Sequence, residues 1–356
     1  MGALTPPSAS AARPDSVQRG LDALVYDDGL PAALASVKDR EGREGQTRNY
    51  TAGVADLATK AKVPADGQVR IGSNTKTFTA VVVLQLVGEG KVSLDAPVDT
   101  YLPGLVRGDG IDGRRITVRQ LLQHTSGLPE YGDHLDDHAM QHQYFDPRDL
   151  LDIALQHKAD FAPGTKWAYS NTNYVLAGLI VQKVTGRPLA EEMEQRIIKR
   201  IGLRRTYFPT PGDMTIREPH PKGYYQDAAG APLRDFTKID PSWGWAAGQL
   251  ISTNSDVNRF FGALLSGRLL PAAQLKEMRT TVPVGHTGAG YGLKLMSRPL
   301  SCGGVYWGHG GDIPGYEVRG GVTDDGRAVS VAVTEIPPDA AVTERLEGVV
   351  DKALCR

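Results

Sequence analysis

A serine and a lysine three residues apart, in Ser73-Asn74-Thr75-Lys76, open an apolar segment that runs from Phe78 to Val87. On a helix this spacing puts hydroxyl and ammonium on one face, one turn apart. The positive end of the helix dipole adds to the same point. A serine hydroxyl needs a base within hydrogen-bond reach to act as a nucleophile at neutral pH. Lys76 can lower the hydroxyl pKa, or act as base itself if burial and a second cation depress its own. Nucleophile, cation and dipole together suit acyl transfer, although the Ser-x-x-Lys spacing alone is a weak signal.

Two further groups strengthen it. Tyr169-Ser170-Asn171 stands just before an apolar helix, Tyr174 to Val184. A tyrosine there can share a proton with serine and lysine, and Asn171 offers an amide donor and acceptor. The same residues would also serve as a helix cap with Tyr169 packed beside it. Gly308-His309-Gly310-Gly311-Asp312 follows a strand ending at Trp307. Glycines there let a substrate or another backbone approach a sheet edge, with His309 beside the approach. Taken alone, this stretch reads equally as a Gly-rich turn with a surface histidine.

The elements that must hold these groups are legible from pattern. Ser16 to Val25 reads as a helix, followed by strands Ala32 to Lys38 and Thr47 to Val54 around a polar turn. After the Ser73 helix, Thr117 to His124, Arg148 to His157, Ser170 to Val184 and Ala190 to Ile201 carry apolar residues at helical spacing. Asn254 to Leu265 is a further helix; Gly290 to Leu295 and Gly303 to His309 read as strands. A hairpin follows, Tyr316 to Thr323 and Ala328 to Thr334 about Asp324-Asp325-Gly326, and then a last helix, Ala340 to Leu354. Strands at both chain ends with helices between predict an α/β (α+β) fold: one antiparallel sheet flanked by helices, with an inserted all-helical lobe. The expected division is residues 1–93 plus 243–356 for the sheet domain and 94–242 for the lobe, with the active site between them.

The chain has 356 residues, 40 Lys and Arg against 41 Asp and Glu, and a net charge of −1. No basic run points to nucleic acid. No apolar run approaches the roughly 20 residues of a membrane span. Met1 to Ala12 has neither the basic start nor the apolar centre of a signal peptide. Either the protein stays in the cytoplasm or a leader has been removed. Cys302 and Cys355 are two unrelated thiols or one disulfide, with nothing in composition to choose between them. His134, His138 and His142 recur every four residues, but in a polar stretch that reads as a solvated loop rather than a metal site. Trp243, Trp245 and Tyr131 either line an acyl pocket or belong to the core.

With its three motifs in this order, the chain resembles the serine β-lactamase and penicillin-recognising hydrolase superfamily, in the branch of class C enzymes, DD-peptidases and related D-aminopeptidases and esterases. The resemblance runs from about Val17 to Cys355. Leu121-Leu122-Gln123-His124-Thr125-Ser126-Gly127-Leu128-Pro129 resembles that branch's loop. Tyr101-Leu102-Pro103-Gly104-Leu105, Tyr169-Ser170-Asn171-Thr172-Asn173 and Leu300-Ser301-Cys302-Gly303 resemble the secreted actinomycete DD-carboxypeptidase/transpeptidase. The resemblance implies a Cys302–Cys355 disulfide and hence export.

It also implies roles. Ser73 would be acylated, with Lys76 and Tyr169 as its proton network and Tyr169 the favoured base. Asn171 would hold the substrate amide, and His309 would stand in the third motif. The backbone N–H groups of Ser73 and Asp312 would form the oxyanion hole, worth about 3 to 4 kcal/mol per donor. Gly310, Gly311, Asp312 and Trp243 would contact substrate. No metal and no cofactor is implied. The partner is a small-molecule or peptide acyl donor, with an amine acceptor if the acyl group is transferred, and the protein is expected to be a monomer.

Carboxypeptidases of this type bind a free carboxylate with hydroxyls in the third motif and a nearby arginine. Here Gly310 and Asp312 stand at the hydroxyl positions and Met296 at the arginine position, while Lys294 and Arg298 are expected to point away. An anionic Asp312 would repel a docking carboxylate by about 1 kcal/mol or more. The expected reaction is therefore acyl-serine hydrolysis or transfer on ester or amide donors, D-amino-acid or peptidyl, whose leaving group lacks a carboxylate or carries a cation that Asp312 could recognise. The alternatives are a penicillin-sensitive D-alanyl-D-alanine carboxypeptidase, which Lys294 or Arg298 in the pocket would favour, and a penicillin-binding module without turnover.

Overall fold

The computed structural model describes residues 15–39, 47–228, 230–285 and 288–355. Met1 to Ala12 and the turn between the first two strands lie outside them.

Helix α1, Ser16–Tyr26, starts where the Asp15 carboxylate accepts from Val17 N. The strands β1, Ala32–Lys38, and β2, Thr47–Gly53, pair antiparallel. A short strand β3, Gln68–Arg70, leads through a 3₁₀ turn, Gly72–Asn74, into α2, Thr75–Gly88. Twelve of the residues of α2 are buried, from Thr75 to Leu86. A helix apolar on every side belongs in the interior, and the Phe78 ring stacks on Phe260 at 3.7 Å.

The middle of the chain is helical. It contains α3, Val118–Gln123, with a Thr117/Gln120 capping box, and α4, Pro147–Leu155, started by Asp146. The central helix α5, Thr172–Thr185, ends at Gly186 in the left-handed region. Ala190 to Ile201, expected as one helix, is Leu189–Met193 and Lys199–Ile201 joined by a π-helical turn, Glu194–Ile198.

After β4, Ile251–Thr253, which pairs with β3, comes α6, Asn254–Leu265. The remaining strands are β5, Val282–Val284; β6, Ala289–Tyr291; β7, Met296–Pro299; β8, Val305–Gly308; β9, Gly311–Ile313; β10, Tyr316–Thr323; and β11, Ala328–Val333. Helix α7, Ala340–Leu354, closes the chain. Among the described residues, nine strands form one antiparallel sheet in the order β2-β1-β11-β10-β8-β7-β6-β5, with β9 also on β10.

The sheet is covered on both faces, and strand alternation decides which side chain goes where. Ala33, Ala35, Val37, Val329, Val331 and Val333 pack with Val17, Leu21 and Leu24 of α1 and Leu346 and Val350 of α7. Leu34, Ala332, Val318 and Val322 face the other way, into the core around α2, α5 and α6. A disulfide joins Cys302, after β7, to Cys355 at the end of α7.

Gly290 to Leu295 is not the single strand expected. Tyr291, Leu293 and Leu295 alternate as in a strand, but Gly292 N donates to Leu295 O at 2.9 Å and Lys294 has φ +64°. Only Gly290 and Tyr291 belong to a strand, β6, and residues 292–295 form the tight, buried turn between β6 and β7.

Candidate active site

Ser73 sits in the turn that ends β3 and begins α2. Gly72, with φ +46°, makes that turn possible: a Cβ there would lie 2.7 Å from Asp312 O and 2.9 Å from Asp312 N. Glycine thus allows the Asp312 backbone to rest against the serine turn. One helical turn on, Lys76 Nζ is 2.9 Å from Ser73 Oγ and donates to Ala247 O at 2.9 Å. Burial pulls the Lys76 ammonium down to about 7, against the charges of Glu130 and Asp312, which favour its protonated form.

Tyr169 comes from the loop before α5 and donates its hydroxyl to Ser73 Oγ at 2.7 Å. Its ring stacks on the buried His124 at 4.4 Å and has the Lys76 and Lys294 ammoniums over it, 4.9 and 4.7 Å from the centroid. Burial pushes the phenol well above its ordinary pKa. The resting tyrosine is therefore neutral, and of the two groups on Ser73 Oγ the lysine is the one that titrates near neutral pH.

Lys294 is a correction to the reading of the sequence. Expected to point away, it is fully buried, with Nζ 3.3 Å from Tyr169 Oη and 2.7 Å from His309 Nε2. The left-handed turn residue aims its side chain under the cleft, where a strand residue would have followed the pleat. Two residues also separate Met296 from Arg298, an even spacing that keeps both on one strand face. Arg298, with Met296, lines a small cleft beside His309 and pairs with Glu347 at 2.5 Å.

His309 Nδ1 donates to Gly310 O at 2.5 Å, which leaves Nε2 as acceptor for Lys294 and for Tyr291 Oη at 3.2 Å. Burial, then the Lys294 charge, push its imidazole well below the ordinary value, so it is neutral. Burial, then Lys76, push Lys294 down as well.

Asn171 precedes α5, and its place is set by Glu130, which belongs to none of the three sequence motifs. Glu130 Oε1 accepts from Asn171 Nδ2 at 3.0 Å and from Gly132 N at 2.7 Å; Oε2 accepts from Asn171 N. The only sequence signal was a carboxylate closing the loop at Pro129.

Asp312 is not the bare anion expected. It is half-exposed, and its Oδ1 lies 2.5 Å from Arg319 Nη1. Arg319 was also missed, because its position follows from sheet register. Gly308 pairs with Gly321 and Gly311 with Val318 across an unbroken register, so Gly310 stands opposite Arg319. A Cβ on Gly310 would meet Arg319 Nη1 at 2.7 Å.

Trp243 is partly buried against the core, its carbonyl accepting from Tyr131 Oη at 2.5 Å. Tyr131 and Trp245 belong to the core. His134 stacks on His157 at 3.5 Å, and His138 lies tilted against His142 at 4.9 Å; among the described residues no three His, Cys, Asp or Glu could share a metal ion. None of the described helices is long and apolar enough to cross a membrane.

A family model described as Beta-lactamase matches residues 16–353. A D-stereospecific amidohydrolase from Streptomyces sp. is 40% identical, with a TM-score of 0.86 over 94% of this chain and 98% of that one. The D-amino acid amidase of Ochrobactrum anthropi SV3 is 28% identical, with a TM-score of 0.83 over 95% and 97%. A beta-lactamase of Pseudomonas fluorescens is 29% identical over 252 residues, 69% of this chain. That match spans 63% of the curated relative's length, and another curated relative is spanned to 62%.

Proposed function

The chain belongs to the Beta-lactamase family and is a serine hydrolase of the penicillin-recognising superfamily, and from that premise we propose that it hydrolyses amides or esters of D-configured amino acids through an acyl-Ser73 intermediate. The observation that carries the reading is the convergence of Lys76 Nζ at 2.9 Å and Tyr169 Oη at 2.7 Å on Ser73 Oγ. The substrate class rests on the likeness to the two D-specific amidohydrolases.

In this reading neutral Lys76 takes the Ser73 proton as Oγ attacks the acyl carbon. The carbonyl oxygen becomes an oxyanion facing the backbone N–H groups of Ser73 and Asp312. Tyr169, hydrogen-bonded to Ser73 and flanked by both lysines, passes a proton to the leaving nitrogen and regains one from protonated Lys76, which is thereby neutral again. Water then attacks the acyl carbon, Lys76 accepting its proton and Ser73 Oγ recovering one as it leaves. Asn171, fixed by Glu130, is the group that holds the substrate amide.

Lys294 in the cleft favours the carboxypeptidase alternative only if its ammonium can reach a carboxylate. It is enclosed between Tyr169 and His309 and pushed toward neutrality, which supports a role in the proton network instead. The Cys302–Cys355 disulfide supports export, since such bonds persist in oxidising compartments.

The test is hydrolysis of D- and L-phenylalanine amide, with the intact mass of trapped protein read in parallel. Faster turnover of the D-amide and an acyl adduct lost in Ser73→Ala are expected. Equal rates would refute the stereochemical reading, and activity surviving Ser73→Ala would refute the mechanism.

A further inference from the structure

We propose that Asp312 and Arg319 form the leaving-group gate of this site: a guanidinium able to hold a carboxylate, kept closed by the aspartate that occupies its outward N–H group. The inference deepens the acyl-serine reading and rests on it.

Arg319 lies beside the reacting groups. It stands opposite Gly310, next to His309 of the Lys294 network, and its charge reaches Tyr169. Its absent neighbour side chain at Gly310 leaves Nη1 open toward the cleft edge, where, among the described residues, Asp312 meets it. On the inner side Nη1 also donates to Val318 O at 3.1 Å, Nη2 lies 2.8 Å from Glu317 Oε1, and Nε lies 3.9 Å from Glu347 Oε1. Glu317 is buried and held up to about 7, while Glu347 is already paired with Arg298. Asp312 is thus the outward counter-ion.

The two residues differ in exposure in the way a gate requires. The Arg319 side chain is 15% exposed and that of Asp312 is 52% exposed. A carboxylate approaching this edge meets the aspartate first and must displace it to reach the fork. An amide or ester leaving group needs no such exchange. Arginine and carboxylate pair through two parallel N–H···O bonds where geometry allows, so removing the aspartate would leave a cationic site sized for that anion.

The experiment compares one N-acetyl-D-alanyl donor carrying either D-alanine or D-alanine amide as leaving group. Asp312→Asn is expected to raise the ratio of kcat/KM for the carboxylate over the amide at least tenfold, and Asp312→Asn/Arg319→Gln to abolish that gain. An unchanged ratio, or a gain that persists without Arg319, would overturn the gate. Equilibrium binding of both compounds to Ser73→Ala and to Ser73→Ala/Asp312→Asn reads the same preference with no acylation step. A tenfold gain for the carboxylate there supports the gate, and equal affinities overturn it, whatever becomes of the proposed chemistry.

Discussion

Lys294 Nζ and His309 Nε2 lie 2.7 Å apart, with the Lys294 ammonium also 3.3 Å from the Tyr169 hydroxyl. A turn residue and the residue that follows β8 thus join the groups around Tyr169, over whose ring both Lys76 and Lys294 lie. Lys294→Met removes the amine that meets both Tyr169 Oη and His309 Nε2, while the burial that lowers Lys76 stays in place. The expected outcome is a fall in kcat/KM of about tenfold or more at pH 7, with the acid limb of the pH profile left in place. An acid limb that moves would show that the two lysines titrate together.

The pH dependence of the parent enzyme follows from Lys76 alone. Burial lowers its pKa to about 7, and a base acts only without its proton. Activity in kcat/KM is therefore expected to rise through pH 7 and level off above it. A limb centred near pH 10, where tyrosine ordinarily titrates, would instead make Tyr169 the base.

Glu130 receives two backbone N–H groups and the Asn171 amide. Glu130→Gln places an NH₂ group against one or more of these donors. Loss of charge-assisted hydrogen bonds predicts a destabilisation of about 2 to 3 kcal/mol, read as a lower Tm. It also predicts a rise in KM that exceeds the fall in kcat, because Asn171 loses its orientation rather than Ser73 its base. A reversed split would assign Glu130 to the chemical step.

Gly72→Ala adds a Cβ at positive φ, within 2.7 Å of Asp312 O. The backbone of either the serine turn or β9 must shift. Loss of acylation is expected to exceed loss of stability, since the same contact positions the backbone N–H groups of Ser73 and Asp312, the proposed oxyanion donors. Intact acylation rates in a folded Gly72→Ala protein would show that this approach is not needed.

The disulfide closes a separation of 53 residues. The loop-entropy relation gives about 4 kcal/mol for a closure of that length. Cys302→Ala/Cys355→Ala is therefore expected to lower Tm while leaving kcat/KM at low temperature near the parent value, because the bond ties α7 to the sheet away from Ser73. An equal Tm would place its contribution near zero.

Local spacing alone made Ser73 and Lys76 readable as a pair, since three residues on a helix always share a face. The motifs around Tyr169 and His309 were readable as candidates for the same reason: each is a short run whose residue types carry chemistry. Helix α6 and helix α7 fall where their apolar periodicity and Asp or Thr caps put them. Glu130, Lys294 and Arg319 were not readable, and each for a tertiary reason. Lys294 lies 125 residues from Tyr169, and its direction is set by a left-handed turn that strand-like alternation conceals. Arg319 meets Asp312 through cross-strand register, which is decided by the whole sheet rather than by either segment. Glu130 reaches Asn171 across 41 residues because α5 packs beside the loop that carries it. Spacing along the chain names the residues able to do chemistry; packing between distant segments decides their charge, their partners and what they leave room to bind.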